Sequence, residues 1–211
     1  MHLFEGLLVL YRATDSEMVR GELQALGDYI VGHFFDPRCG CFVEWLTAAF
    51  ERDPNGEVRP GHAAQMAFLL SRAVDAGLPS RYLDEANASV SFVARVAAKD
   101  PNGIIPHSTD YAGKVRDPEY YWWSQTELLR GLGHFIVHRG REDLWPGFRK
   151  SLEYVREHYI DPVHSGWYRK PDAKTDDKGN DWKVGYHVAM MITELLRLNG
   201  ERFQSGAEIL L

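Results

Sequence analysis

Two histidines sit at matching places in two apolar stretches. Residues 59–72 read RPGHAAQMAFLLSR and residues 183–197 read KVGYHVAMMITELLR, which puts His62 and His187 near the first turn of a helix, 125 residues apart. A helix N-terminus carries partial positive charge, which favours a neutral imidazole able to accept a proton near neutral pH. Two such bases across one pocket could remove a proton on one face of a small molecule and return it on the other. The same positive helix ends would stabilise an enediolate oxyanion between them. That is the chemistry of proton abstraction beside a carbonyl, and it calls for no metal or other cofactor. For either histidine alone, a helix cap or a solvated surface group is the plainer reading. The shared register lifts the pair above it.

The groups around these histidines suit a sugar. Tyr120, Tyr121, Trp122 and Trp123 crowd the start of a third helix, and Trp182 lies five residues before His187. Flat aromatic faces pack against the apolar C–H faces of sugar rings, although core packing is the plainer reading for any single one. Glu127 follows Trp123 by one helical turn and should share its face. With Asp181 it could instead form an acid pair for glycoside hydrolysis. His107 could line the same mouth from a loop. His33, His134, His138, His158 and His164 fall on other faces or in turns, and Trp45, Trp145 and Trp167 read as structural. No H-E-x-x-H, Gly-rich phosphate loop or G-x-S-x-G occurs.

The elements that position these residues follow from hydrophobic period. Apolar stripes at helical spacing predict seven helices, near 2–13, 15–34, 61–77, 79–98, 123–138, 142–159 and 185–199. Asp15 and Ser80 are expected N-caps, and Gly77 and Gly200 expected stops. FFDPRCGCFVEW and YIDPVHSGWYRK read as hairpins sharing Asp-Pro, Gly and an aromatic. Their aspartates, Asp36 and Asp161, are again 125 residues apart, as are Gly6 and Gly131. Three landmarks in one register define an internal repeat of two helix pairs. Helices one, three, five and seven then form an inner layer. His2, His62, Trp123 and His187 all start inner helices, so they converge on one mouth.

Composition fits this picture. The chain has 211 residues, 45% hydrophobic and 12% aromatic, enough for one globular domain spanning residues 1–211. A net charge of −6 without a basic run argues against nucleic acid as a partner. No apolar run is long enough for a membrane span, and LFEGLLVLY lacks the basic leader of a signal peptide, so a cytoplasmic location is expected. Cys39 and Cys41, one residue apart, are expected to be reduced thiols in a turn.

MHLFEGLLVLY, RPGHAAQMAFLL, YYWWSQTELLRGL and DWKVGYHVAMM, in this order, resemble the N-acylglucosamine 2-epimerase family along essentially the whole chain. The resemblance implies an all-α (α/α)6 barrel of helical hairpins and proton transfer at the sugar C2 through an enediolate. It maps the two catalytic histidines to His62 and His187. A third, sugar-contacting histidine maps to His2, and Trp123, Glu127 and Trp182 fall on the pocket wall. Where the family usually has a glutamate one turn after the first catalytic histidine, this chain has Gln65, expected to bind substrate; its amide can hydrogen-bond a hydroxyl or the histidine but cannot raise the imidazole pKa by charge. The resemblance is expected to cover only the C-terminal half of the family fold. About seven helices would then make a partial barrel, either a piece of a longer chain or a half-ring pairing with a second copy through its open edges. A sugar 2-epimerase or aldose–ketose isomerase is the leading expectation. A non-catalytic sugar-binding or interaction remnant and a glycoside hydrolase of similar architecture are the alternatives.

Overall fold

Seven helices carry the fold of this computed structural model, which describes residues 1–171, 173, 178, 179, 183 and 185–205. They are α1 (His2–Thr14), α2 (Glu17–Phe34), α3 (Pro60–Asp75), α4 (Tyr82–Ala97), α5 (Trp122–Arg139), α6 (Trp145–His158) and α7 (Tyr186–Ser205). Two short antiparallel pairs lie in the connections, β1 (Phe35–Asp36) with β2 (Cys41–Phe42) and β3 (Ser108–Thr109) with β4 (Val115–Asp117).

The layering follows from the apolar patterns. Residues 63–71 of α3 and 124–136 of α5 are buried without a break, as expected of helices enclosed on every side. Helix α3 packs on α4 and α5, α5 on α7 and α6, and α1 on α2. Small residues permit the close approach of α3 to α5. A Cβ on Gly61 would lie 2.6 Å from the Trp123 ring, and one on Gly131 would lie 3.3 Å from the Ala64 carbonyl oxygen. Pro60 opens α3 at a position that needs no N–H, and Gly140, at φ 63°, ends α5 by donating its N–H to Phe135.

The internal repeat is visible in the backbone. Phe35 pairs with Phe42 across the first hairpin, and Ile160 bridges Trp167 at the same register 125 residues later. Asp36 Oδ1 accepts the Arg38 N–H at 2.9 Å, and Asp161 Oδ1 accepts the Val163 N–H at 2.8 Å. One Asx turn therefore closes both hairpins.

Several local expectations are corrected. Cys39 and Cys41 form a disulfide rather than two free thiols. Asp15 does not cap α2. It ends α1 in the left-handed region at φ 51°, and Ser16 precedes α2 without a side-chain cap bond. Arg81, not Ser80, precedes α4, and α7 continues through Gly200. Trp145 and Trp167 are buried, whereas Trp45 is 59% exposed beneath the Arg59 guanidinium. The β3–β4 pair was not anticipated, because strands this short carry no periodic signal. Leu3, Val9 and Leu10 on α1 and Leu196 on α7 are exposed on the flanks of the inner layer. Among the described residues, no helix is long and apolar enough to cross a membrane.

The close contact at Gly61 has a measurable consequence. Gly61→Ala should overpack the α3–α5 seam and cost about 1–3 kcal/mol. Urea unfolding of the two proteins measures this, and unchanged midpoints would show that the seam can yield.

Candidate active site

His2, His62, Trp123 and His187 lie within the first turns of α1, α3, α5 and α7. The inner layer brings those turns together. The Trp123 ring centroid is 4.7 Å from that of His62 and 5.7 Å from that of His187, and His2 stands 6.5 Å from His187. A cavity of about 280 Å³ opens beside them, lined by His2, Glu44, His62 and the apolar Ile30, Phe42 and Met66 among others. His187 is outside that lining and reaches the group through Trp123 and His2.

Each of the paired histidines is held through one nitrogen. His62 Nδ1 is 2.8 Å from Glu44 Oε2, and His187 Nδ1 is 2.8 Å from Glu127 Oε1. An ionised carboxylate can only accept, so Nδ1 carries the proton in both rings when the imidazole is neutral. Nε2 is left with its lone pair, and among the described residues neither Nε2 has a hydrogen-bond partner. Burial would raise the Glu44 carboxyl, but the His62 hydrogen bond and charge, with Arg59, outweigh it and hold Glu44 below its ordinary value. His2 is lowered, chiefly by burial, with Glu5 opposing and the His187 and His62 charges adding to the shift.

Behind the histidines lies a buried polar network. Arg130 Nη2 donates to Glu5 Oε1 at 2.9 Å, and its Nη1 is 3.4 Å from Glu127 Oε2. The Tyr186 hydroxyl also donates to Glu5, as does the Gln65 amide at 3.2 Å. Burial would raise Glu5, but Tyr186, then Arg130 and Gln65, hold it below its ordinary 4.5. Two carboxylates thus face one guanidinium, an excess of negative charge that an imidazolium at His187 would offset.

The remaining candidates divide. Gln65 is fully buried and turned to Glu5. Glu127 is fully buried behind His187, a poor position for an acid acting on a glycosidic oxygen. Trp182 and Asp181 lie outside the described residues. His107 joins the mouth, edge-on to Tyr121 and Trp123, with its Nδ1 buried and unpaired; burial, then Arg59, lowers it. Glu44, Glu5, Arg130 and Tyr186 were not found by sequence reasoning. Only the 125-residue spacing of Glu5 and Arg130, the same as the repeat, offered a signal for any of them.

A second cluster has metal-like spacing. His134, His138 and Glu194 offer ligand atoms within 4.8 Å of one another. Arg197 Nη2 lies 2.6 Å from Glu194 Oε1 and 3.0 Å from His138 Nε2, so a guanidinium already fills the place a cation would take.

Packed helical hairpins with paired histidines at the inner helix starts define a class of fold and site, and sequence comparison supplies the family. The N-acylglucosamine 2-epimerase family model matches residues 1–190, and the chain belongs to that family. The match takes in nearly the whole chain, which overturns the expectation of a resemblance to a C-terminal half only. Cellobiose 2-epimerase of Bacteroides fragilis is 25% identical over 208 residues, covering 93% of this chain and 52% of that protein. D-mannose isomerase of Marinomonas mediterranea is 24% identical over 143 residues, 66% of this chain and 36% of that protein. Among solved structures, cellobiose 2-epimerase from Spirochaeta thermophila superposes with a TM-score of 0.80 at 19% identity, over 95% of this chain and 51% of that one. The all-α fold expected for this chain, about seven helices packed as in part of an (α/α) toroid, is therefore its fold. The chain spans about half the length of the relatives it matches.

Arg130→Met should leave Glu5 and Glu127 buried without their cation, at a cost of about 3–5 kcal/mol near neutral pH. In the wild type the depressed pKa of Glu5 gives stability that is full above 4.5 and lost as pH falls through the lower folded value. Without Arg130 that carboxyl titrates higher, so acidification towards pH 5 should narrow the gap between variant and wild type. Urea unfolding at both pH values tests this, and a gap that ignores pH would count against the network.

Proposed function

We propose that this chain carries the proton-transfer centre of a sugar 2-epimerase or aldose–ketose isomerase, with His62 and His187 as its acid–base pair. One observation carries the reading. Both rings pack against Trp123, and each is clamped at Nδ1 by a carboxylate, so that Nε2 is the nitrogen left to exchange a proton. The names of the relatives, cellobiose 2-epimerase and D-mannose isomerase, are consistent with it.

The chemistry follows from the placement. An open-chain sugar with its carbonyl at the inner helix starts would rest a C–H face on Trp123. One Nε2 takes the C2 proton, and the electron pair moves into the C1–C2 bond and onto the carbonyl oxygen. The resulting enediolate faces the positive ends of α1, α3 and α7. The second histidine, entering the step as the imidazolium, gives its Nε2 proton to the opposite face of C2 to form the epimer; delivery of a proton to C1, with the O2 hydroxyl proton passing to O1, gives the ketose. The imidazolium, on the donor ring before the reaction and on the acceptor ring after proton abstraction, is paired with Glu44 or Glu127. The reaction as written draws on no cofactor, and its partner is a small sugar.

Incubation with a panel of aldoses and ketoses in heavy water tests this directly. Deuterium should enter C2 of at least one sugar, and His62→Ala or His187→Ala should each slow entry by about 10²–10⁴-fold. Label that enters equally well in both variants would remove the histidines from the mechanism.

A further inference from the structure

Resting on the reading of His62 as a proton-transfer group, we propose that Glu44, at the exit of the first hairpin, is the positioning residue of that histidine. Position 65, one turn beyond His62 on α3, holds a different part of the site.

The geometry supports this from both sides. Glu44 Oε2 meets His62 Nδ1 at 2.8 Å, while Oε1 lies 3.4 Å from Arg59 Nη1. The Glu44 backbone N–H donates to the Glu57 carbonyl at 2.8 Å, which fixes the loop that delivers the side chain. That side chain is only 12% exposed. A carboxylate so held locks the ring orientation and keeps the proton on Nδ1, as orienting carboxylates do for other functional histidines. Gln65 meanwhile is committed to Glu5 at 3.2 Å. A glutamate there would set a second buried carboxylate against Glu5, so the neutral amide suits its neighbour.

The second histidine has the same arrangement, imidazole to Glu127 to Arg130, matching His62 to Glu44 to Arg59. The repeat does not generate this likeness. In the 125-residue register Glu44 corresponds to Arg169, and Glu127 corresponds to His2. The two dyads were therefore assembled from unrelated positions, one from a hairpin exit and one from a helix. Convergence on one geometry points to a shared requirement for a fixed Nδ1–H tautomer.

Long-range nitrogen–proton correlation spectra of the histidine rings test the inference on the full chain, with His62 assigned by its loss in His62→Asn. The wild type near neutral pH should show His62 as the Nδ1–H tautomer. Glu44→Gln, whose amide oxygen still accepts, should retain it. Glu44→Ala should shift it towards Nε2–H and slow deuterium entry at C2 by about 10–100-fold. Adding Gln65→Glu to Glu44→Ala should restore neither signal nor rate. An Nε2–H tautomer in the wild type, an unmoved tautomer in Glu44→Ala, or rescue by Gln65→Glu would overturn the proposal. If Glu44→Ala does not fold, the wild-type and Glu44→Gln spectra decide, because Nε2–H in either contradicts it. A protein that labels no sugar would defeat the functional reading, while the spectra would still decide the role of Glu44.

Discussion

A guanidinium sealed between two carboxylates ties the inner layer together. Arg130 on α5 meets Glu5 on α1 and Glu127 on its own helix, and its guanidinium lies over the Phe68 ring of α3 at 4.0 Å. Gln65 of α3 and Tyr186 of α7 close on Glu5. All four inner helices therefore contribute to one desolvated cluster. Taking those charges out of water costs several kcal/mol for each ion, and mutual attraction repays it only if the geometry holds. Four hydrophobic helices could slide past one another at little cost. Four helices sharing a buried ion cluster are held in a narrow range of axial positions, so their N-termini stay level.

That axial restriction keeps the mouth assembled. His62 and His187 are useful together only if α3 and α7 start at the same height relative to α5, which carries Trp123. Gly61 and Gly131 bring α3 and α5 close enough for the His62 and Trp123 rings to touch. The cluster also reaches the His187 ring through Glu127, which bonds Arg130 on one side and His187 on the other. One carboxylate therefore couples the packing of the helices to the orientation of that ring.

Much of this arrangement is legible in the sequence, and what escapes follows a physical pattern. Helical period located all seven helices, with the end of α7 missed by six residues, because apolar side chains recur at helical spacing in each of them. The 125-residue register identified the matching hairpins and the paired histidines, since a repeated backbone needs the same residue types at the same turns. Loop-borne partners left no such mark. Glu44 reaches His62 only because a hairpin exit folds back over α3, and no spacing rule encodes that return. The disulfide at Cys39 and Cys41 and the β3–β4 pair likewise depend on loop geometry. Arg130 and Glu5 look like ordinary helix-surface charges in a linear reading. Only burial on both partners shows that they are central.

The α5–α7 seam shows why residue type alone does not assign the chemistry. At its mouth end α7 presents His187 to Glu127, and further along α5 presents His134 to Glu194. Both are histidine–glutamate pairs bridging the same two helices. His134, however, is fully buried, and both of its nitrogens are engaged, Nδ1 with Glu194 and Nε2 with Ser71 at 2.8 Å. Burial, opposed by Glu194, pushes it down to about 4, so it remains a neutral structural group throughout the physiological range. His187 keeps part of its surface exposed and one nitrogen uncommitted among the described residues. The difference comes from position along the helix. At the first turn the neighbouring chain falls away and leaves room for a ligand, whereas two turns into a packed seam every polar atom has to be satisfied from within. Only the first kind of place leaves a ring nitrogen open to a ligand, and it is where α1, α3 and α7 put their histidines and α5 puts its tryptophan.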